Sequence, residues 1–395
     1  MAVRRVGVNL LWLVPGVVGG SEEYTTRLLT GLAERRPEGL ELTLFVLAPF
    51  AAAHPELAAH YPTVSLRLTG RAKPARIVAE STWLAAAGRR RRIELMHHAG
   101  GILPLVRQAP ALLTVHDLQP LVEPANFGRV KRTFSRIAIP RSARAARLIV
   151  TPSEHARRSV IDQLSIPATR VRTVPHGIAP AAPVDAMADR RAEADVRARH
   201  DLPGPYFLYP AITYPHKNHL LLVRAFLGVA AQVPDASLVL TGGAARMEAA
   251  VVDGVARLGL TGRVRRLGRI PRGDLDTLIR HAVAVTVPSR FEGFGAPVLE
   301  AMSLGCPVLA ADATALPEVV GDAGVLLSPD DAPDWTAAML RLLGDPDERH
   351  RLARAGRDRA TCYTWDRAAR ALEHAYRHAL GEPHPTEPPP PDAPT

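Results

Sequence analysis

Cysteine is nearly absent: Cys306 and Cys362 are the only two in 395 residues. They fall in a stretch that reads as a buried strand and at a helix end. No disulfide framework is available, and a reducing cytosol is the expected setting. Aromatic residues are scarce at 5 %, too few to serve as stacking platforms, which argues against nucleic acid as a partner. No apolar run approaches the length that spans a bilayer. Arg4-Arg5 and the apolar residues 6–18 imitate a secretion signal. Asn9 and Pro15 interrupt that run, and Gly19-Gly20-Ser21-Glu22-Glu23 leads into a helix, so a first strand and loop is expected instead. Internal repeats are missing. The first glycine loop lacks the G-x-G-x-x-G spacing, and the strand at 41–47 ends in Ala48-Pro49 with no carboxylate for a ribose, which argues against a dinucleotide site. The histidines have no zinc-ligand spacing, and no D-x-D-like carboxylate pair awaits a divalent ion, Asp330-Asp331 lying in a late loop.

Length and an apolar content of 47 % suit two domains, each with its own core. Charge is unevenly spread. Residues 1–182 hold 25 Lys/Arg and 12 Asp/Glu, whereas the remainder holds 24 and 27. The excess sits at Arg89 to Arg92 and within 129–147. It is either a solvated basic surface or an attraction to anionic lipid or a phosphate-bearing acceptor.

The densest local pattern occupies residues 287–316. An apolar run at 284–287 reads as a buried strand that Pro288 and Ser289 stop. A loop with Gly293 and Gly295 follows, then a helix with Pro297 early in it and Gly305 ending it. A second apolar strand comes next. The helix N-terminus beside a glycine loop offers free N–H groups and the positive dipole end to an anion. Glu292 and Glu300 flank that place, and a carboxylate accepts the two hydrogen bonds that vicinal hydroxyls donate. Glu300 alone could equally be an acidic residue complementing the dipole.

Ser289-x-x-Glu292-Gly293-Phe294-Gly295-x-Pro297-x-x-Glu300-Ala301 resembles the signature of retaining glycosyltransferases, the large family with sucrose synthases and bacterial mannosyl- and glucosyltransferases. Gly305-Cys306-Pro307-Val308, Leu316-Pro317-Glu318-Val319 and Gly321-Asp322-Ala323 continue the likeness. The resemblance implies an α/β chain of the GT-B kind, two facing Rossmann-like domains with a cleft between them. It implies Glu300 on the ribose, Glu292 on the transferred sugar, and the Gly293-Phe294-Gly295 amides beside it.

The N-terminal half alternates strands at 6–13, 41–47, 64–68, 93–97, 111–115 and 148–151 with helices at 22–34, 76–90, 129–146 and 154–163, a doubly wound pattern. Gly19-Gly20, by the resemblance, approaches the donor's phosphate and sugar. Two strand ends carry histidines, His97-His98 and His116-Asp117. A histidine after a strand is often structural, but His116-Asp117 resembles the family's His-Asp, whose imidazole meets the donor sugar's hydroxyls. His176-Gly177 resembles the turn that closes the first domain, with histidine in place of asparagine.

In the second half, Thr213 to His219 precedes an amphipathic helix. Lys217 there opposes the helix dipole, and an anion between them would remove the conflict. The position matches the family's donor-diphosphate lysine, and His216-Lys217-Asn218-His219 is similar to its mannosyltransferase-like branch. Many members carry an arginine six residues earlier, where this chain has Ala211. Thr364-Trp365-Asp366 starts a last helix resembling the one that crosses back to the first domain.

The expected division is therefore an acceptor-side domain at 1–182 joined by the helix 364–382, a donor domain at 183–363, and a disordered proline-rich tail at 383–395. The expected reaction is metal-independent, retaining transfer of a hexose, mannose favoured, from a GDP- or UDP-linked donor to a glycan, lipid-linked or small-molecule acceptor. His116, Glu292 and Lys217 are the expected catalytic groups. Gly19, Gly20, Lys217, Glu292, Gly293, Phe294, Gly295 and Glu300 are the expected donor contacts, with no resident cofactor. The expected location is cytoplasmic, with peripheral attachment to an anionic membrane face. A non-catalytic sugar-nucleotide-binding subunit and a phosphorylase or epimerase of the same fold are the alternatives.

Overall fold

Short apolar runs separated by helices cannot pair as tight hairpins, and they assemble into two wholly parallel sheets. The computed structural model describes residues 3–17, 19–182 and 184–382. The first sheet comprises β1 (Arg4–Asn9), β2 (Leu40–Leu47), β3 (Thr63–Leu66), β4 (Leu95–His98), β5 (Ala111–Thr114), β6 (Leu148–Thr151) and β7 (Val171–Thr173), ordered β3-β2-β1-β4-β5-β6-β7. The second comprises β8 (Tyr206–Pro210), β9 (Ser237–Thr241), β10 (Val264–Gly268), β11 (Ala284–Val287), β12 (Val308–Ala311) and β13 (Val325–Leu327), ordered β10-β9-β8-β11-β12-β13.

Counted from its own first strand, the second sheet repeats the winding of the first. Both are doubly wound Rossmann-like sheets, and in such sheets ligands bind outside the carboxyl ends of the strands where the order reverses. That point lies between β1 and β4 in the first sheet and between β8 and β11 in the second. β11 and β12 are buried along their whole length, which explains why they read as continuous apolar runs rather than alternating ones.

The chain divides into two compact units, residues 1–177 with the segment from Tyr363 onward, and Ile178–Cys362. The division falls a few residues before the expected 182/183, and the tail from 383 lies outside the described residues. The helix Trp365–Leu380 belongs to the first unit, where it packs on the helix Gly20–Arg35. Its inner face is Ala368, Ala369, Ala371, Leu372, Ala375, Tyr376 and Ala379, small enough to let the two backbones approach. Arg35 donates to Asp366 at 2.7 Å and to Glu373 at 3.5 Å across the contact.

The helix expected at 76–90 is two helices, Lys73–Ser81 and Trp83–Arg90. Thr82, distorted to φ −116° and ψ −69°, is the joint between them, and its hydroxyl donates back to Val78 O. The helices Ala186–Arg199, Glu248–Arg257, Ala332–Gly344 and Pro346–Ala360 were not anticipated. The first and last of these bury Val196 alone, or mainly small residues such as Ala353, Gly356 and Ala360, so little apolar periodicity marks them. Among the described residues no helix is long and apolar enough to cross a membrane.

A Cβ at Gly31 would sit 2.9 Å from the backbone oxygen of Trp365. Gly31→Ala gains about 1 kcal/mol of helix propensity but overpacks this contact at about 1–3 kcal/mol. Thermal unfolding should therefore begin at a lower temperature in the variant. A raised midpoint would show that the two helices do not pack this closely.

Candidate active site

The second unit builds its site by tying the loop after β8 to the end of β11. Asn218 takes the left-handed conformation, φ 57°, which asparagine tolerates better than most side chains. From there its Nδ2 donates to Pro288 O at 3.1 Å and Pro329 O at 2.8 Å. The buried Tyr209 hydroxyl donates to Lys217 O at 2.8 Å and lies 3.0 Å from Ser289 Oγ. The Arg290 amide donates to His216 O at 2.8 Å. These ties bring Lys217 Nζ to Glu292 Oε1 at 2.6 Å, with only 17 % and 11 % of the two side chains exposed. The Glu292 amide donates to Thr314 Oγ1 at 2.9 Å. The conflict between Lys217 and the helix dipole is thus answered within the protein, by Glu292, without an added anion.

Gly295 (φ 108°) caps the helix Ala296–Ser303, with Pro297 in its first turn, as the sequence suggested. The far end is a Schellman turn: Gly305 N donates to Met302 O at 3.0 Å and Cys306 N to Ala301 O at 2.9 Å. Glu300 accepts from Arg272 at 3.2 Å, and Arg272 also holds Asp276 at 2.8 Å. Ala211 is buried, and a Cβ on Gly242 would come within 2.6 Å of its carbonyl oxygen. The β9 turn therefore packs directly over the position where many members carry arginine. Arg269 lies against the next glycine, Gly243.

In the first unit, His116 follows β5 and donates from Nε2 to Ala99 O at 3.0 Å. A carbonyl can only accept, so this bond fixes Nε2 as the protonated nitrogen. Burial lowers the imidazole pKa, outweighing the hydrogen bond to Ala99 and the Asp117 charge. The neutral ring then presents Nδ1 as an acceptor. Tyr24 meets His116 edge-on at 5.5 Å and Trp12 lies 6.1 Å away. Asp117 accepts from the Gln119 amide at 2.9 Å, which turns the chain. Gly19 (φ 78°) and Gly20 open the helix Gly20–Arg35, and nothing lies within 4 Å of where either Cβ would sit. Glu22 accepts from the Gly16 amide at 2.9 Å and closes the loop below them.

His97 and His98 are core residues. His97 bonds Tyr376 at 2.9 Å and Thr114 at 2.7 Å through its two nitrogens, and His98 meets Asn9 at 3.2 Å. Sequence reasoning missed Tyr24, Trp12, Asn218, Thr314 and Arg272. Only Asn218 carried a signal, as an asparagine just before a helix.

Two family models match successive parts of the chain: Glycosyltransferase Family 4 over residues 18–182 and Glycosyl transferases group 1 over 191–359. The chain belongs to the GT-B glycosyltransferases. An O-antigen chain mannosyltransferase B of Escherichia coli is 29 % identical over 276 residues, spanning 68 % of this chain and 70 % of the relative. A D-inositol 3-phosphate glycosyltransferase of Salinispora tropica is 34 % identical over 61 % of this chain, and the match spans 52 % of that relative. The crystal structure of Anabaena HepE in complex with UDP-glucose superposes with a TM-score of 0.72 at 19 % identity, covering 95 % of this chain and 99 % of that one. The last likeness bears on fold alone.

Among the glycosyltransferase's described residues, no group of three or more His, Cys, Asp or Glu could hold a metal ion. Asp330 pairs with Arg290, and Asp331 caps the helix Ala332–Gly344 by accepting from Asp334 N. Cys306 is buried, and burial pushes its thiol up to about 12.

Burial holds His97 and His98 down to about 3, and His176, His216 and His219 to about 4. These rings stay neutral in the native state while the unfolded chain takes up protons below pH 6.5. Stability present at pH 7 should therefore be lost as pH falls from 6.5 toward 4, by about 1–2 kcal/mol per ring at pH 5. Urea unfolding at pH 7 and 5 measures this, and His97→Gln should shrink the difference. Equal stability at the two pH values would contradict it.

Proposed function

We propose that this glycosyltransferase moves a hexose, mannose favoured, from a GDP- or UDP-linked donor, retaining the anomeric configuration and using no metal. The acceptor would be a glycan, a lipid-linked saccharide or a small molecule. The observation that carries the reading is the near-buried Lys217–Glu292 pair at the carboxyl ends of β8 and β11, where a doubly wound sheet receives its ligand. The first relative's name, a mannosyltransferase, and the His216-Lys217-Asn218-His219 sequence support the sugar. A nucleotide-linked donor is what the resemblance of the Ser289 to Ala301 segment and the two family models support.

In this reading the anomeric C–O bond to the diphosphate breaks while the acceptor oxygen bonds to the same carbon. The acceptor's proton passes to the departing phosphate oxygen. Negative charge grows on the diphosphate, and the Lys217 ammonium is the charge placed to meet it, supported by amides at the start of the helix Ala296–Ser303. Retention follows from leaving group and acceptor sharing one face, as the family resemblance implies. Glu292 would accept from the sugar's hydroxyls once the diphosphate competes for Lys217. His116 Nδ1 would accept from another sugar hydroxyl, a task suited to a neutral ring. Glu300, steadied by Arg272, would hold the ribose hydroxyls. Gly19 and Gly20 would let the backbone come close to the donor.

Two outcomes test this. Lys217→Ala should lower kcat by about 10²–10³, the cost of removing one preorganised donor to developing charge. Glu300→Ala should chiefly raise the donor KM. If Lys217→Ala keeps a wild-type kcat, the diphosphate lies elsewhere. Activity should also survive EDTA; a collapse that Mg²⁺ or Mn²⁺ restores would remove metal independence from the reading.

A further inference from the structure

The helix Arg129–Ala145 presents an apolar face to solvent. Val130, Phe134 and Ile137 recur at helical spacing and are 86 %, 45 % and 67 % exposed. The opposite face, with Ala138, Ile139, Ser142 and Ala143, is the one that packs on the sheet. The helix also carries six basic side chains, Arg129, Lys131, Arg132, Arg136, Arg141 and Arg144, and no carboxylate.

Neighbouring segments extend this face. Leu105 N donates to Ser81 Oγ at 3.1 Å, and Leu103 N to Ser142 Oγ at 2.9 Å. The loop carrying the exposed Leu105 and Val106 is thereby tied to both the helix Lys73–Ser81 and the helix Arg129–Ala145. The helix Lys73–Ser81 itself exposes Ile77 and Val78. Lys131 feels the charges of both Lys73 and Asp117. The start of the helix therefore lies near the His116-Asp117 turn, whereas Leu105 and Val106 lie with Ala111 and Arg147 at the amino ends of β5 and β6, so the patch runs along the flank of the first sheet.

We infer that this face is a docking surface for an anionic lipid membrane. Exposed apolar side chains rimmed by Arg and Lys match a bilayer interface, where they enter the acyl boundary while the cations meet lipid phosphates. A soluble acidic partner would meet the charges but leave seven large apolar side chains wet. The surface takes up the basic run within 129–147 and not the one at Arg89 to Arg92. Arg90, Arg91 and Arg92 precede β4, at the amino ends of the strands, and line a cavity of about 1290 Å³ together with Arg5, Arg36, Glu34 and Glu41. No exposed large apolar residue lines that cavity. The inference rests on the proposed function in one respect: with His116 near the sugar, the start of the helix would bring a membrane-borne lipid-linked acceptor toward the reacting end of the domain.

Vesicle binding tests it without any transfer assay, so its failure and that of the donor reading are separable. The full-length protein is floated with vesicles of phosphatidylcholine alone or mixed with phosphatidylglycerol. Binding should need the anionic lipid and weaken with salt. Arg129→Gln, Arg132→Gln and Arg136→Gln should each lower partitioning by about fivefold. Combined Val130→Ser, Phe134→Ser and Ile137→Ser should lower it by roughly tenfold or more. All six side chains are exposed, so the thermal midpoint should hold in each variant. Substituting Arg90, Arg91 and Arg92 by Gln should matter less. Equal binding to both vesicle types, or binding unmoved by the serine variant, would overturn the proposal. So would its loss only in the Arg90 to Arg92 variant, or a dimer in solution that the serine variant turns into a monomer.

Discussion

Two opposite charges 2.6 Å apart, Lys217 and Glu292, are held almost out of water in the second unit. Either one alone there would carry a heavy desolvation cost, so the pair must be held in register. Much of the surrounding detail serves that register. Asn218 pins one loop to Pro288 and Pro329, Tyr209 fixes Lys217 from below, and Thr314 holds the Glu292 amide. Thr314 does so from a left-handed backbone, φ 52°, a conformation that costs energy for a β-branched residue. Surrounding structure must over-determine it, which is the usual mark of a residue kept in place for a site.

The two units bring different chemistry to the carboxyl ends of like sheets. The second supplies charge, in Lys217, Glu292, Glu300 and Arg272. The first supplies neutral groups: bare glycine backbone at Gly19 and Gly20, and an imidazole whose tautomer is fixed by Ala99 O. Sugar hydroxyls need acceptors and donors more than charge, whereas a diphosphate needs cations and amides.

Six strands of the first sheet and the neighbours β11 and β12 of the second were legible because buried parallel strands are short continuous apolar runs, as 111–115 and 284–287 are. The glycine loop, Pro297 and Gly305 were legible too, since each meets a backbone demand few other residues can satisfy. Pairings between distant segments were not. Nothing in the spacing of Lys217 and Glu292 says that they touch, or that Arg272 bonds Glu300, because those contacts are set by strand order. His97, at a strand end where a histidine is often structural, is a core residue, and Tyr376 and Thr114 occupy both its nitrogens. The exposed face of the helix Arg129–Ala145 was half legible, as a run of positive charge whose apolar stripe appears only when the buried face is known.

The central claim is that Lys217, paired with Glu292 in the free protein, is the seat of the donor diphosphate. A crystal structure with GDP or UDP bound tests it most directly. The account predicts diphosphate oxygens within hydrogen-bond reach of Lys217 Nζ at the carboxyl ends of β8 and β11, with the ribose at Glu300. A nucleotide bound elsewhere, with Lys217 still on Glu292, would contradict it.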